Sequence, residues 1–161
     1  MNSPLRRPEE ILAYRSLRDV LGTKPRSLWS VSPADSAFSA LRIMAEKNIG
    51  FLVVLEKDAL AGALSERDCA RRLVLDRKPP ETTQVSDIMV RDVVTVDPTY
   101  TFGDCLRLMH AHGVRHLPVL DRGKPVTVVS IRDLLGEAVA HHAKIIAQLE
   151  RERLETFIST A

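Results

Sequence analysis

Residues 52–68, Leu-Val-Val-Leu-Glu-Lys-Asp-Ala-Leu-Ala-Gly-Ala-Leu-Ser-Glu-Arg-Asp, return 65 positions later as residues 117–133, Leu-Pro-Val-Leu-Asp-Arg-Gly-Lys-Pro-Val-Thr-Val-Val-Ser-Ile-Arg-Asp. The register extends backwards without a gap. Leu41-Arg-Ile-Met44 falls on Leu106-Arg-Leu-Met109, and Val31-Ser-Pro33 on Val96-Asp-Pro98. Self-similarity at a fixed period means that one structural unit is used twice, so the fold is that of the unit and of how two copies pack.

Each copy reads the same way. Leu28–Val31 and Val93–Val96 are short β-rich runs, each ended two residues later by a proline, where a ladder hydrogen bond cannot continue. Ala37, Leu41, Met44 and Ala45, and Phe102, Leu106 and Met109 in the second copy, recur at helical spacing. Both helices end at residue types that tolerate a left-handed backbone, Asn48 and Gly113. Two strands follow, Phe51–Leu55 with Leu60–Leu64 and His116–Leu120 with Val126–Val129, joined by the polar turns Glu56-Lys-Asp58 and Asp121-Arg-Gly-Lys124. A second helix then starts at Ser65-Glu-Arg-Asp68 or Ser130-Ile-Arg-Asp133, so the order per unit is β-α-β-β-α.

The short segments Leu17–Leu21 and Ser86–Met89 predict one lead-in helical turn before each unit. The chain thus divides into an N-terminal extension (1–15), a first unit (16–78), a polar Pro-containing linker (79–84), a second unit (85–138) and a C-terminal helix (139–161). On that last helix Val139, Ile145, Ile146, Leu149, Phe157 and Ile158 form an incomplete apolar stripe opposite Glu150-Arg-Glu-Arg153, a pattern that predicts a packing or dimer surface.

Composition removes several classes of function. The 161 residues carry 23 basic and 21 acidic side chains, a net charge of +2, too little to point to a nucleic-acid or membrane partner. Aromatic residues are 4% of the chain, so no platform for stacking single-stranded bases is present. Cys69 and Cys105 lack CxxC spacing, and no apolar run or N-terminal leader pattern appears. A soluble, cytoplasmic protein with reduced thiols is expected. Neither GxSxG, HExxH, a Walker loop nor GxGxxG occurs, which argues against an enzyme and against catalytic cofactors. His110 and His112 lie about 200° apart on a helix and His141 and His142 about 100°, so no metal site is expected.

The repeated pattern resembles the CBS domain, named after cystathionine β-synthase, in tandem as in small stand-alone bacterial CBS-pair proteins. The resemblance covers about residues 16–140. It is carried by Met44-Ala-Glu-Lys-Asn-Ile-Gly50 followed by Leu-Val-Val, by Val114-Arg-His-Leu-Pro-Val119 and by the two Ser-x-Arg-Asp tetrads. It implies an α/β fold of two units packed through their sheets as a pseudo-twofold pair with two clefts, and association of two such modules as a homodimer. It also implies adenine-nucleotide ligands: AMP, ADP, ATP, S-adenosylmethionine or NAD(H), acting as signals to an effector protein.

From the residues alone, Ser-x-x-Asp is a complete helix cap. The hydroxyl accepts from a backbone N–H and the acid favours the positive end of the helix dipole. Duplication copies a useful cap as readily as a useful site. The resemblance adds a second role, in which Asp133 and Asp68 accept from ribose hydroxyls with Ser130 and Ser65 beside them. Arg132 and Arg67 are phosphate candidates, as is Arg115, which has no copy in the first unit because Gly50 takes its place. In the family the base lies between the first and second strands of a unit. Carried over, that names Val93, Val94, Thr95, His116, Leu117 and Pro118 in the second cleft, ranked first, and Trp29, Ser30, Gly50, Phe51 and Leu52 in the first. Thr127 replaces the glycine kept at Gly62, a side chain expected to crowd the second cleft or alter strand twist. The leading reading is a nucleotide-sensing regulatory module. The alternative is a nucleotide-independent scaffold that acts through its C-terminal helix.

Overall fold

The computed structural model describes residues 16–21 and 27–159, so the expected extension at 1–15 lies outside the described residues. In chain order the elements are α1 (Leu17–Leu21), β1 (Ser30–Val31), α2 (Ala37–Lys47), β2 (Phe51–Glu56), β3 (Ala59–Ser65), α3 (Glu66–Cys69, continued by a π-helical Ala70–Leu75), α4 (Val85–Ile88), α5 (Phe102–His112), β4 (His116–Asp121), β5 (Lys124–Ser130) and α6 (Ile131–Ser159). It is a mixed α/β fold with short sheets and a long C-terminal helix.

Local chemistry explains the boundaries. Ser36 caps α2 by accepting from the Ser39 amide, and Thr101 with Asp104 forms a reciprocal capping box on α5. Asn48 (φ 52°) and Gly113 (φ 64°) end these helices in the left-handed region. Both hairpin turns have two consecutive positive-φ residues, Lys57-Asp58 and Arg122-Gly123, as a tight type I′ turn requires. Both hairpins also shift register at equivalent places, between Val54 and Leu55 and between Val119 and Leu120. The helix faces are the expected ones, with Ala37, Met44, Phe102 and Met109 buried, and are centred slightly to one side. Ala40 and Cys105 are buried, whereas Leu41 and Leu106 are only partly so and Ala45 is exposed.

The expected first strand of the second unit, Val93–Val96, is not a strand. Only Val96 bridges to Val119, in parallel. In the first unit β1 pairs with β2 at Ser30–Val53 and Val31–Val54, and the Val53 amide donates to the Trp29 carbonyl at 3.4 Å. The position equivalent to Val53 is Pro118, which has no N–H to give, so the ladder stops one pair short. The first strand of the first unit is also shorter than expected, because Leu28 and Trp29 stand outside it.

The two hydrophobic cores cut across the division of the sequence. Val85, Ile88 and Met89, which lead into the second unit, are buried in the first core with Met44, Leu52 and Leu64. Leu17, which leads into the first unit, is buried in the second core with Phe102, Met109 and Leu117. The docking bonds are copies of one another. Leu17 and Arg18 donate to the carbonyls of Tyr100 and Pro98, and Val85 and Ser86 donate to those of Asp35 and Pro33. The α4 segment then bonds β3 through an antiparallel bridge between Ala63 and Val90. Gly62 is required by that approach, since a Cβ there would stand 2.8 Å from the Val90 carbonyl oxygen. Thr127, its counterpart, is accommodated as a buried residue.

β3 packs against β5, so the two sheets meet through equivalent strands. Among the described residues no helix is long and apolar enough to cross a membrane, and no group of three or more metal-ligating side chains forms. Ile88 is fully buried. Ile88→Ala is expected to cost about 2–5 kcal/mol and to lower the urea midpoint read from Trp29 in the first unit, although Ile88 belongs by sequence to the second. An unchanged midpoint would mean that α4 is not part of the first core.

Candidate functional site

Where the two units face each other, a single cavity of about 900 Å3 is lined by both Ser-x-Arg-Asp tetrads. The two expected clefts are therefore halves of one space. Equivalent backbone bonds bring each tetrad to the wall. The Glu66 amide donates to the Gly50 carbonyl at 3.1 Å and the Ile131 amide to that of Arg115 at 2.9 Å, which ties the start of each second helix to the start of its neighbouring strand.

Both tetrads are complete capping boxes. Oδ2 of Asp68 accepts from the Ser65 amide (3.1 Å) and hydroxyl (2.5 Å), and the Asp68 amide donates back to Ser65 Oγ (3.1 Å). Asp133 repeats this with Ser130 at 2.9, 2.6 and 3.2 Å. Each carboxylate uses the same oxygen for both cap bonds. A hydroxyl pair approaching from the cavity meets a carboxylate whose position is already set by the helix start.

Most of the residues named from sequence come together here. Ser65, Arg67, Asp68, Gly50, Phe51 and Trp29 line the first half, and Ser130, Arg132, Asp133, Arg115, His116, Val93 and Val94 the second. Leu52, Leu117 and Pro118 are buried, the two leucines at 0% exposure in the cores, and Thr95 and Ser30 do not line the cavity. Thr127 does not line it either, so the expected crowding of the second half does not occur. Trp29 is 38% exposed with the Lys47 ammonium 4.5 Å over its ring, at the cavity wall rather than in the core.

Sequence reasoning missed Glu66, Arg71 and Asp92 in the lining. The signal was present for Arg71, which follows the first tetrad at i+4 from Arg67 and so shares its helix face. Each half thus holds two acids and two arginines: Glu66, Asp68, Arg67 and Arg71 against Asp92, Asp133, Arg115 and Arg132. Among the described residues the ion pairs, Arg42–Glu46, Lys78–Asp76 and Arg107–Asp104, lie elsewhere. None of the four cavity arginines belongs to these pairs.

Phe51 and His116, which the 65-residue repeat makes equivalent, stack face to face with centroids 4.8 Å apart and planes within 13°. Equivalent residues meet only at the symmetry axis, so this pair marks the pseudo-twofold. Burial, aided by the positive charge of Arg115 and opposed by Asp133, pushes the His116 imidazole below its usual range. The thiols of Cys69 and Cys105 are buried and pushed up to about 11, chiefly by burial, so both remain protonated and unreactive at neutral pH.

Comparison with known proteins agrees with the duplicated architecture. The family model for the CBS domain matches residues 17–75 and 85–140. The mitochondrial CBS domain-containing protein CBSX3 of Arabidopsis thaliana is 30% identical over 96% of this chain and 77% of its own length. A protein with CBS domains from Burkholderia ambifaria superposes with a TM-score of 0.75 at 38% identity, covering 78% of this chain and 95% of that one. The CBS domain pair of protein MJ0100, crystallised with 5′-methylthioadenosine and S-adenosyl-L-methionine, has the same fold (TM-score 0.65, 22% identity, covering 76% of this chain and 94% of that one).

His116 generates a pH prediction. Its folded value lies below its unfolded one, so as pH falls below about 6.5 the unfolded chain takes up a proton that the folded chain resists, and stability declines. Above that range the contribution is fully present. His116→Phe, which copies the residue at Phe51, is expected to lose less stability than wild type between pH 7.5 and pH 5.5 in urea titrations. Parallel curves would show that His116 does not contribute this dependence.

Proposed function

Since the chain belongs to the CBS domain family and has the domain twice, we propose that it is a regulatory module that senses an adenine nucleotide in the inter-unit cavity and does not itself catalyse a reaction. The observation that carries this reading is the opening of both capped Ser-x-Arg-Asp tetrads into one cavity of about 900 Å3. A carboxylate beside a helix start suits the vicinal hydroxyls of a ribose, and the four arginines suit phosphate. The ligands crystallised with the MJ0100 pair are both adenosine derivatives. AMP, ADP, ATP, NAD(H) and S-adenosylmethionine are the compounds to test here.

In this reading Asp133 and Asp68 hold ribose with Ser130 and Ser65, while Arg132, Arg115 and Arg67 face phosphate. The base lies against Val93 and Val94, or against Trp29 and Phe51. A ligand that touches both units has a different affinity for any arrangement in which they shift, which is the requirement for a switch. The module acts as a homodimer and signals through conformation or dimer packing to an effector protein. The exposed stripe of α6 favours the alternative of a nucleotide-independent scaffold.

Thermal unfolding against these nucleotides separates the two readings. A ligand at 100 times its dissociation constant stabilises the fold by about 2.7 kcal/mol. At least one adenylate is expected to raise the midpoint, and Asp133→Asn is expected to abolish that rise while the unliganded variant still unfolds cooperatively. No rise with any compound, in protein first shown free of co-purified nucleotide, moves the reading to the scaffold.

A further inference from the structure

α6 is 29 residues long, about 43 Å at 1.5 Å per residue, and among the described residues its first turns are the part that joins the second core. Ile131, Leu134 and Ala138 pack in the second core. From Val139 to Ile158 every side chain except His141 and Ile145 is exposed. Leu135, Val139, Ile146 and Leu149 are 56%, 70%, 57% and 50% exposed. At 3.6 residues per turn they fall within about 40° of one line, roughly 90° round the helix from Leu134 and Ala138. Positions 135, 139, 142, 146, 149 and 153 alternate steps of four and three, the spacing of a coiled-coil seam, with His142 and Arg153 as its polar members; Arg153 thus falls on the apolar side and not opposite it as the sequence pattern suggested.

We propose that α6 pairs along this seam with α6 of a second copy of the chain, forming a coiled coil that extends the dimer beyond the second unit. The proposal rests on the dimeric part of the reading above and not on the ligand. Three observations favour a second copy as occupant. A helical segment of about 20 residues whose side chains are mostly exposed gains little from apolar burial, and a partner along the seam adds what that exposure leaves out. The 65-residue repeat puts Val74 at the place of Val139, and Val74 and Leu75 are also exposed, at 71% and 76%. The second helix of each unit therefore exposes apolar side chains, Val74 and Leu75 in the first and Leu135 and Val139 in the second, so a contact between two copies has apolar surface to meet on both. The area suffices as well. At roughly 100 Å2 for each of these six side chains, pairing removes on the order of 1,200 Å2 over two copies, within the range of specific interfaces.

The test compares the full chain with Ile146→Glu/Leu149→Glu and, on the opposite face of the helix, with Lys144→Glu/Arg151→Glu. Sedimentation gives the mass, and hydrogen exchange gives the protection of amides 142–157. The wild type is expected to be a dimer whose 142–157 amides are protected more strongly as concentration rises. The seam variant is expected to lose that protection and to associate at least tenfold more weakly, and the opposite-face variant to match wild type. A dimer whose mass and protection ignore the seam substitutions overturns the coiled coil and leaves the dimer standing. A wild-type monomer overturns both. Protection that does not change with concentration places the cover within the same chain and also overturns the proposal.

Discussion

Neither unit closes its own core. Val85, Ile88 and Met89 fill the first, and Leu17 fills the second, each from the far side of the sequence boundary. Because those residues are apolar and almost wholly buried, the arrangement is fixed by the same free energy that makes any core, and the two units cannot separate without opening both. The cavity follows from this. The crossing segments hold the sheets together through β3 and β5, and the starts of the second helices are left facing one another across the space between them. Phe51 stacked on His116 lines that space at the axis.

Much of this was legible in the residues. The repeat register, the two hairpins and the two left-handed helix ends at Asn48 and Gly113 all rest on local chemistry, which sequence displays directly. The tetrads could be read as caps for the same reason, and the resemblance to the CBS domain marked them as candidate site residues, which line the cavity. What stayed hidden was long-range. A helical turn of four or five residues, such as α1 or α4, carries enough apolar side chains to be recognised but nothing that says which core receives it. The joining of two clefts into one cavity was invisible for the same reason, as was the inclusion of Asp92.

The failed strand at Val93–Val96 is a different kind of miss. Its β-rich composition was read correctly, and the obstacle lay in another segment, at Pro118, whose missing N–H removes one rung of the ladder. Propensity describes what a segment accepts, while a ladder needs a donor on both sides. Small departures from symmetry such as this one, with Gly62 against Thr127 and Gly50 against Arg115, show where the two copies have diverged. Gly62 is kept by the close approach of the Val90 carbonyl, and Thr127 sits buried away from the cavity.

The capping boxes have a consequence for how such modules change over generations. Ser65 and Asp68, and Ser130 and Asp133, start helices whether or not a ligand ever arrives, so replacing either member weakens the fold before it touches any signal. Selection for a well-formed helix start is therefore enough to preserve both motifs. On the proposed function, a lineage that ceased to sense nucleotide would keep the letters of both motifs, and one that regained the need would find a carboxylate and hydroxyl already positioned.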